Sequence, residues 1–277
     1  LSKEEAMEEK IQTAKNLIAE ADAIVIGAGA GLSSAAGLHY GGERFRQYFS
    51  DYMERYGLTD MYSAGFYPFT SPEEKWAYWA RHIQLNRYGE SLPLYQELYE
   101  LVKDKATFVI TTNVDGQFAK AGFDEASLFE VQGNYGEFQC SLPCQQEVFP
   151  NQELVEAMLQ ASQNFKIPSS LIPHCPRCQS PLTTHLRIDE TFVETQNWHQ
   201  QEAAYLAFLQ ANAEKKIVFL ELGVGYNTPT IIKFPFERLN AALPAASLIR
   251  LNLEDSEREG IITIQEDIKE VIAAWRN

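Results

Sequence analysis

The chain has 277 residues, 45% of them apolar, so it can bury a sizeable core and wholesale disorder is excluded. Its 38 acidic and 23 basic side chains leave a net charge of −15, which argues against non-specific nucleic-acid binding and against adhesion to anionic lipid, since both need basic surface. No apolar run approaches the ~18 residues of a membrane span, and residues 1–10 are charged rather than signal-like, so a cytoplasmic location is expected.

Met7, Lys10, Ile11, Ala14, Leu17, Ile18 and Ala21 recur at helical spacing and predict a helix over residues 3–20. Short apolar runs rich in β-branched residues follow at 24–26, 108–111, 128–131, 217–222, 248–251 and 261–264. Such runs mark strands buried on both faces, hence an α/β fold with a parallel sheet and helices on each side. Helical patterns cover 119–121, 202–213 and 266–275. Residues 39–101 are rich in aromatics and carry no strand signal. Ser71-Pro72 reads as an N-cap with proline at the first helical position. That helix runs through Trp76, Trp79, His82 and Ile83, and a second covers 94–102. Residues 136–188 hold all four cysteines. The expected organisation is a Rossmann-like domain of residues 1–38, 102–135 and 189–277, a helical insert at 39–101 covering a nucleotide site, and a zinc-binding module at 136–188.

Two strand ends and the cysteines carry recognisable chemistry. Gly27-Ala28-Gly29-Ala30-Gly31 leaves a strand and enters a helix-compatible Ser33-Ser34-Ala35-Ala36. Glycines there let backbone amides approach a pyrophosphate, and a helix N-terminus adds partial positive charge. A tight turn is the plainer alternative. Thr111-Thr112-Asn113-Val114-Asp115-Gly116 stands at the carboxyl end of a strand, where ligands bind in open parallel sheets. Alternatively, Asn113 and Asp115 cap the next helix. Cys140 and Cys144 enclose three residues, and Cys175 and Cys178 enclose two. This is the zinc-ribbon pattern, in which a closed four-thiolate shell leaves no position for water and makes Zn²⁺ structural. A disulfide formed under oxidative stress is the alternative.

With Leu128-Phe129-Glu130-Val131 running into Gln132-Gly133-Asn134-Tyr135-Gly136, these segments resemble the sirtuin set: a Gly-Ala-Gly loop, a Thr-x-Asn-x-Asp loop, and a His-Gly followed by zinc cysteines. The resemblance spans residues 23–268 and implies the sirtuin fold, with NAD consumed as a substrate. It implies that Ala28, Gly29, Ala30 and Gly31 hold the dinucleotide, that Arg44 or Arg46 reaches a phosphate, and that Phe45 shields the ribose. Asn113 would contact the nicotinamide ribose and position a water, and Asp115 would receive the nicotinamide carboxamide. Gly223, Val224 and Gly225 would offer backbone amides to the adenosine side. Asn252 and Leu253 would lie at the adenine ribose, and Asp267 and Ile268 would flank adenine. Three departures stand out beside these matches. Gly31 replaces a frequent serine, Leu38-His39-Tyr40-Gly41-Gly42-Glu43-Arg44-Phe45-Arg46 replaces an apolar-Pro-Asp-Phe-Arg run, and Arg187 and Asp189 put charge where sirtuins pair with an acyl-lysine peptide.

The departure with chemical consequence is Gln132, which stands where sirtuins carry a catalytic histidine. Its amide donates and accepts hydrogen bonds but takes up no proton at working pH. Loss of a general base costs about 10²–10⁴-fold, so deacylation should be weak. Release of nicotinamide needs no such base, because the cationic ring is already a good leaving group. In this respect the chain resembles class M sirtuins, the macrodomain-linked microbial branch. That resemblance implies a protein ADP-ribosyltransferase with Asn113, Asp115 and Gln132 as catalytic residues. It also implies a lipoylated glycine-cleavage H-like carrier as acceptor and a macrodomain ADP-ribosyl hydrolase as companion. The rival readings are an NAD-dependent deacylase using a water relay and a non-catalytic NAD or ADP-ribose sensor.

Overall fold

In the computed structural model, which describes residues 1–277, Ser2 opens the first helix with a capping box. Its hydroxyl accepts from the Glu5 amide while the Glu5 carboxylate accepts from its own amide. The elements that follow are α1 (Lys3–Glu20), β1 (Ala23–Ala28), α2 (Ala30–Ala35), α3 (Gly42–Tyr56), α4 (Met61–Gly65), α5 (Pro72–Arg87) and α6 (Pro93–Val102). Next come β2 (Ala106–Thr111), α7 (Gln117–Ala121), β3 (Leu128–Glu130), β4 (Gly133–Cys140), β5 (Val148–Pro150), α8 (Gln152–Ala161) and β6 (Leu182–Leu186). The chain ends with α9 (Gln196–Asn212), β7 (Ile217–Leu222), α10 (Lys233–Ala242), β8 (Ser247–Leu251), β9 (Ile262–Ile264) and α11 (Ile268–Arg276). Caps fix several boundaries that apolar spacing alone misplaces. Thr195 caps α9 through the Trp198 amide, so that helix starts earlier than the periodicity predicts.

Six strands form one parallel sheet in the order β3-β2-β1-β7-β8-β9. Alternate residues feed two cores. Ile24, Ile26, Val218 and Leu220 pack with α1, α6 and α11 on one face, and Ala23, Val25, Phe108 and Phe219 pack with α9 and α10 on the other. Burial on both faces is why these strands are continuously apolar. Of the helices expected in the insert, α6 joins the parallel sheet through Leu94, Tyr95, Leu98 and Val102. The aromatic helices α3, α4 and α5 instead share a core with the small antiparallel sheet β5-β4-β6 and with α8. Trp76 of α5 meets Phe138 of β4 edge to face at 4.9 Å. The insert and the cysteine module are thus packed as one mass.

That module closes around its thiols. The Sγ atoms of Cys140, Cys144, Cys175 and Cys178 all lie within 4.8 Å of one another. One Zn²⁺ held at about 2.3 Å from each sulfur requires spacing of this order, so the four residues fit a structural zinc ion. Cys140 and Cys175 are buried in the core shared with the insert. Zinc removal with a strong chelator is therefore expected to lower the melting temperature and loosen the insert with the module. Zinc stoichiometry and calorimetry with and without chelator check this, and an unchanged melting profile after loss of the metal would contradict it.

One polar cluster interrupts the apolar sheet. Glu221 of β7 and Arg250 of β8 are register partners, and both are fully buried. Arg250 Nε and Nη2 reach the two Glu221 oxygens at 2.6 and 3.0 Å. Lys233 of α10, also fully buried, donates to Glu221 at 3.0 Å and to Asp255 at 2.7 Å. A Glu221→Gln change leaves two buried cations short of a counter-charge and should cost about 3–5 kcal/mol of stability, measurable as a lower urea midpoint.

Candidate nucleotide-binding and transfer site

β1 and β7 are central neighbours at which the strand order reverses, the position where open parallel sheets bind ligands outside their carboxyl ends. The loops leaving these two strands touch backbone to backbone. Gly29 N donates to Leu222 O at 3.0 Å, and Gly31 N donates to Gly223 O at 2.9 Å. A Cβ on Gly31 would lie 2.6 Å from Gly223 Cα, and one on Gly223, whose φ is +63°, would lie 2.3 Å from Leu32 N. Glycine at both positions is a packing requirement of this contact.

A groove of about 540 Å³ runs over this junction. Gly29, Ala30, Gly31, Gly223, Val224, Gly225, Asn252, Leu253, Asp267 and Ile268, all expected at a dinucleotide, line it. Ala28 ends β1 beneath it, fully buried. The expected use of glycine amides needs correction: those of Gly29 and Gly31 are spent on the neighbouring loop, and Gly223 N donates to Leu251 O at 2.9 Å. The amides of Ala30, Val224 and Gly225 make no hydrogen bond within the chain, so they are the backbone donors left for a phosphate. Asn252 Nδ2 holds the Val224 carbonyl at 3.1 Å, which ties the groove's two walls together. Asp267 caps α11 through the Lys269 amide at 2.8 Å.

An inner cavity of about 270 Å³ continues from the groove, sharing Ala30, Ser34 and Thr112 with it. Asn113 and Asp115 line it together with Ser33, Leu38, Tyr40 and Asn86. Asn113 Nδ2 donates to Gly29 O at 2.9 Å and reaches Tyr95 Oη at 3.4 Å. The Ser33 hydroxyl donates to Asp115 at 2.5 Å and lies 2.6 Å from Tyr95 Oη. Asp115 also accepts from the Gln117 amide at 3.0 Å, a local turn bond. The N-cap of α7 is Gly116, with no side-chain cap, so neither Asn113 nor Asp115 caps that helix as the alternative expects. Burial raises the Asp115 carboxyl above the usual carboxylate range, opposed by the Ser33 hydroxyl and the Gln117 amide. Ser33, Tyr95, Tyr40 and Asn86 were not among the expected site residues. The sequence signals for them are the serine pair following the glycine loop and, for Tyr40, its place in the run that departs from the sirtuin pattern.

Gln132 lines neither cavity but lies beside the Asn113 loop. Val131 N donates to Thr111 O at 3.1 Å and Tyr135 N to Val114 O at 2.9 Å, so residues 131–135 run along 111–114. Gln132 O accepts from Arg187 N at 2.9 Å, and Gln132 Oε1 is buried with no partner. The adjacent Gly133, at φ +93°, passes so near β6 that a Cβ would meet His185 O at 2.0 Å. Two expected residues move out of the site. Phe45 is fully buried in the insert core, stacked on Phe49 at 5.1 Å, and shields no ribose. Arg44 spends its guanidinium on His39 O, Asn86 Oδ1 and Leu85 O at 3.0, 3.0 and 3.2 Å. Arg46 pairs with Glu43 on the surface. In this sequence the run starts a helix at Gly42, and helical spacing turns Phe45 inward.

No family model matches the chain. A protein ADP-ribosyltransferase of Staphylococcus aureus (strain Mu50 / ATCC 700699) is 38% identical over 98% of this chain and 90% of its own length. A probable bifunctional ADP-ribose hydrolase/ADP-ribosyltransferase of Fusarium oxysporum f. sp. cubense is 32% identical over 95% of this chain, which spans 47% of that protein. Among solved structures, Sir2Tm bound to a propionylated peptide matches with a TM-score of 0.61 at 18% identity, covering 96% of both chains. A Sir2–p53 peptide–NAD⁺ complex matches with a TM-score of 0.58 at 17% identity, covering 95% of this chain and 96% of that one. The fold is thus that of sirtuins, and with near-complete coverage at 38% identity the chain belongs to the protein ADP-ribosyltransferase family, as an NAD-dependent ADP-ribosyltransferase.

Proposed function

We propose that the chain transfers ADP-ribose from NAD to a protein acceptor with release of nicotinamide, and that Asn113, Asp115 and Gln132 form its reacting centre. The observation that carries this reading is the inner cavity: it is continuous with the dinucleotide groove, lined by Asn113 and Asp115, and neighboured at residue 132 by an amide in place of a titratable base. NAD supplies an activated glycosidic bond. Asn113, whose Nδ2 is held by Gly29 O, keeps its Oδ1 free to face the ribose. The Gln132 amide, buried beside the Asn113 loop with its Oε1 unpartnered, is in this reading turned to a ribose hydroxyl when NAD binds. Asp115, oriented by Ser33 and Gln117, receives the carboxamide. The Ala30, Val224 and Gly225 amides, with Ser34 and Thr228 in the groove wall, hold the pyrophosphate.

The acceptor in this reading is a lipoylated H-like carrier, with Arg187 and Asp189 beside β6 giving the docking side its charge. The companion enzyme is a macrodomain ADP-ribosyl hydrolase. A relative named for both hydrolase and transferase activities supports such a pairing. In this reading the Rossmann-like part, residues 1–38, 102–135 and 189–277, holds the dinucleotide, the insert (39–101) closes the inner cavity through Tyr40 and Asn86, and the zinc module (136–188) backs the insert. Four thiols gathered for zinc suit the reducing cytoplasm, and no helix is long and apolar enough to cross a membrane.

Mass spectrometry of a lipoylated carrier incubated with enzyme and NAD tests the proposal. A gain of one ADP-ribosyl mass is expected. Loss of an acyl group from an acyl-lysine peptide without labelling of the carrier would favour deacylation. Asn113→Ala is expected to reduce transfer at least about 10²-fold, the scale of losing one preorganised catalytic contact, with the melting temperature little changed. Wild-type transfer by that variant would refute its role.

A further inference from the structure

A line of buried hydroxyls and an imidazole ends at the inner cavity. Tyr40, which lines the cavity, shares a hydrogen bond with the hydroxyl of Tyr135 on β4. Tyr135 Oη lies 2.9 Å from His82 Nε2, and His82 Nδ1 lies 2.9 Å from Tyr78 Oη, both on α5. Tyr78 in turn donates to the Met61 carbonyl at 3.3 Å. Tyr78, His82 and Tyr135 are 0, 2 and 4% exposed, so their protons are committed within the protein.

The carbonyl at the far end sets the direction of every bond. Met61 O only accepts, so Tyr78 spends its single proton there. His82 Nδ1 must then carry a proton and donate to Tyr78. Burial, reinforced by Arg44, lowers the imidazole to a pKa of about 3, so the ring is neutral and its Nε2 is an acceptor. Tyr135 donates to that nitrogen, and its oxygen accepts the proton of Tyr40. The Tyr40 hydroxyl is held protonated, its pKa pushed up to about 12 chiefly by burial. Its proton points away from the cavity, and only oxygen lone pairs face inward.

Two further groups lining the cavity share this character, whereas the donors, the free Ala30 amide and the Ser34 and Thr112 hydroxyls, belong to the lining it shares with the groove. Asn113 has its Nδ2 occupied and offers Oδ1, and Asp115 offers a carboxylate. Asn86 is used up by the His82 carbonyl, Met61 sulfur and Arg44. Resting on the dinucleotide reading above, we propose that the Tyr40–Tyr135–His82–Tyr78 chain makes Tyr40 a specificity-determining residue, presenting a fixed acceptor that selects a pyridine carboxamide and rejects a pyridine carboxylate. A carboxamide brings two N–H donors to Tyr40 and Asp115. A carboxylate brings only negative oxygen against them, leaving all of these acceptors unpaired.

The test compares wild type, Tyr40→Phe and His82→Phe with NAD and with nicotinic acid adenine dinucleotide. Release of the pyridine base gives kcat/KM, and calorimetry with ADP-ribose gives a binding constant that does not involve the pyridine pocket. Wild type is expected to favour NAD. Tyr40→Phe should raise KM for NAD about 2–10-fold, the range of one neutral hydrogen bond, and reduce the NAD preference by a similar factor. Its ADP-ribose affinity should be unchanged. His82→Phe removes the acceptor that holds the proton of Tyr135, frees Tyr40 to donate into the cavity, and should relax the preference further by improving turnover of the carboxylate dinucleotide. Unaltered preference in Tyr40→Phe with intact ADP-ribose binding overturns the assignment, whether or not His82→Phe folds. Wild type that binds ADP-ribose but releases no base from NAD overturns the underlying transfer reading instead.

Discussion

The backbone contact between the loops leaving β1 and β7 is the constraint on which the site depends. Gly31 N and Gly223 O bond across it, and no side chain fits between. The two loops therefore behave as one surface. What fixes that surface is the ionic cluster directly below, where Glu221 at the end of β7 holds Arg250 and Lys233, and Lys233 reaches on to Asp255 beyond the Asn252 turn. Each of these charges is costly to desolvate, and only their mutual pairing offsets the cost. Because the anchor points flank both walls of the groove, the same network that satisfies the buried charges also preorganises the groove. A ligand entering a preformed groove loses less free energy to ordering its walls.

The opposite wall has a different origin. Tyr40 and Asn86 close the inner cavity from the insert, whose core is shared with β4, β6 and the buried cysteines. Trp76 against Phe138, and the Tyr88 hydroxyl on Asn151, join α5 to the zinc module. A metal remote from the reacting atoms thereby supports them mechanically. Tyr135 lies on the same strand as Cys140, and its hydroxyl sets the hydrogen bond of Tyr40. The thiolate cluster thus connects through one strand to the polarity of the cavity.

The sheet was legible because a strand buried on both faces leaves a short, uninterrupted apolar run, and α1 because its apolar stripe recurs at helical spacing. The cysteine cluster was legible from spacing alone. Glu221 and Arg250 were not, since a charge inside an apolar run carries no sign of the partner that neutralises it from another strand. Arg44 and Phe45 were misplaced by matching a motif whose spacing has shifted. Gly42 starts α3 without a side-chain cap, and a kink at Phe49 blurs its pattern, so local signals gave little warning that Phe45 sits on the buried face. The glycine amides were misassigned for a related reason: a sequence shows that a backbone can come close, but not whether it approaches a ligand or another loop.

Gln132 was legible through what it lacks, and the surrounding geometry gives that absence a physical meaning. In the proposed reaction, positive charge moves from the pyridine ring to the ribose as the glycosidic bond lengthens. Groups that help at the sugar must present negative dipole ends while taking no proton. Asn113, whose amide nitrogen is occupied, and Gln132, whose Oε1 has no protein partner, meet both conditions. A histidine at position 132 would add a proton acceptor suited to acyl migration, whereas an amide retains only the dipole. Fixed dipoles that need not reorganise as charge develops lower a barrier most in a site sheltered from water. In the proposed reaction the substitution would therefore remove one branch of the chemistry, base-driven migration, while keeping fixed dipoles to support bond cleavage and capture of the sugar.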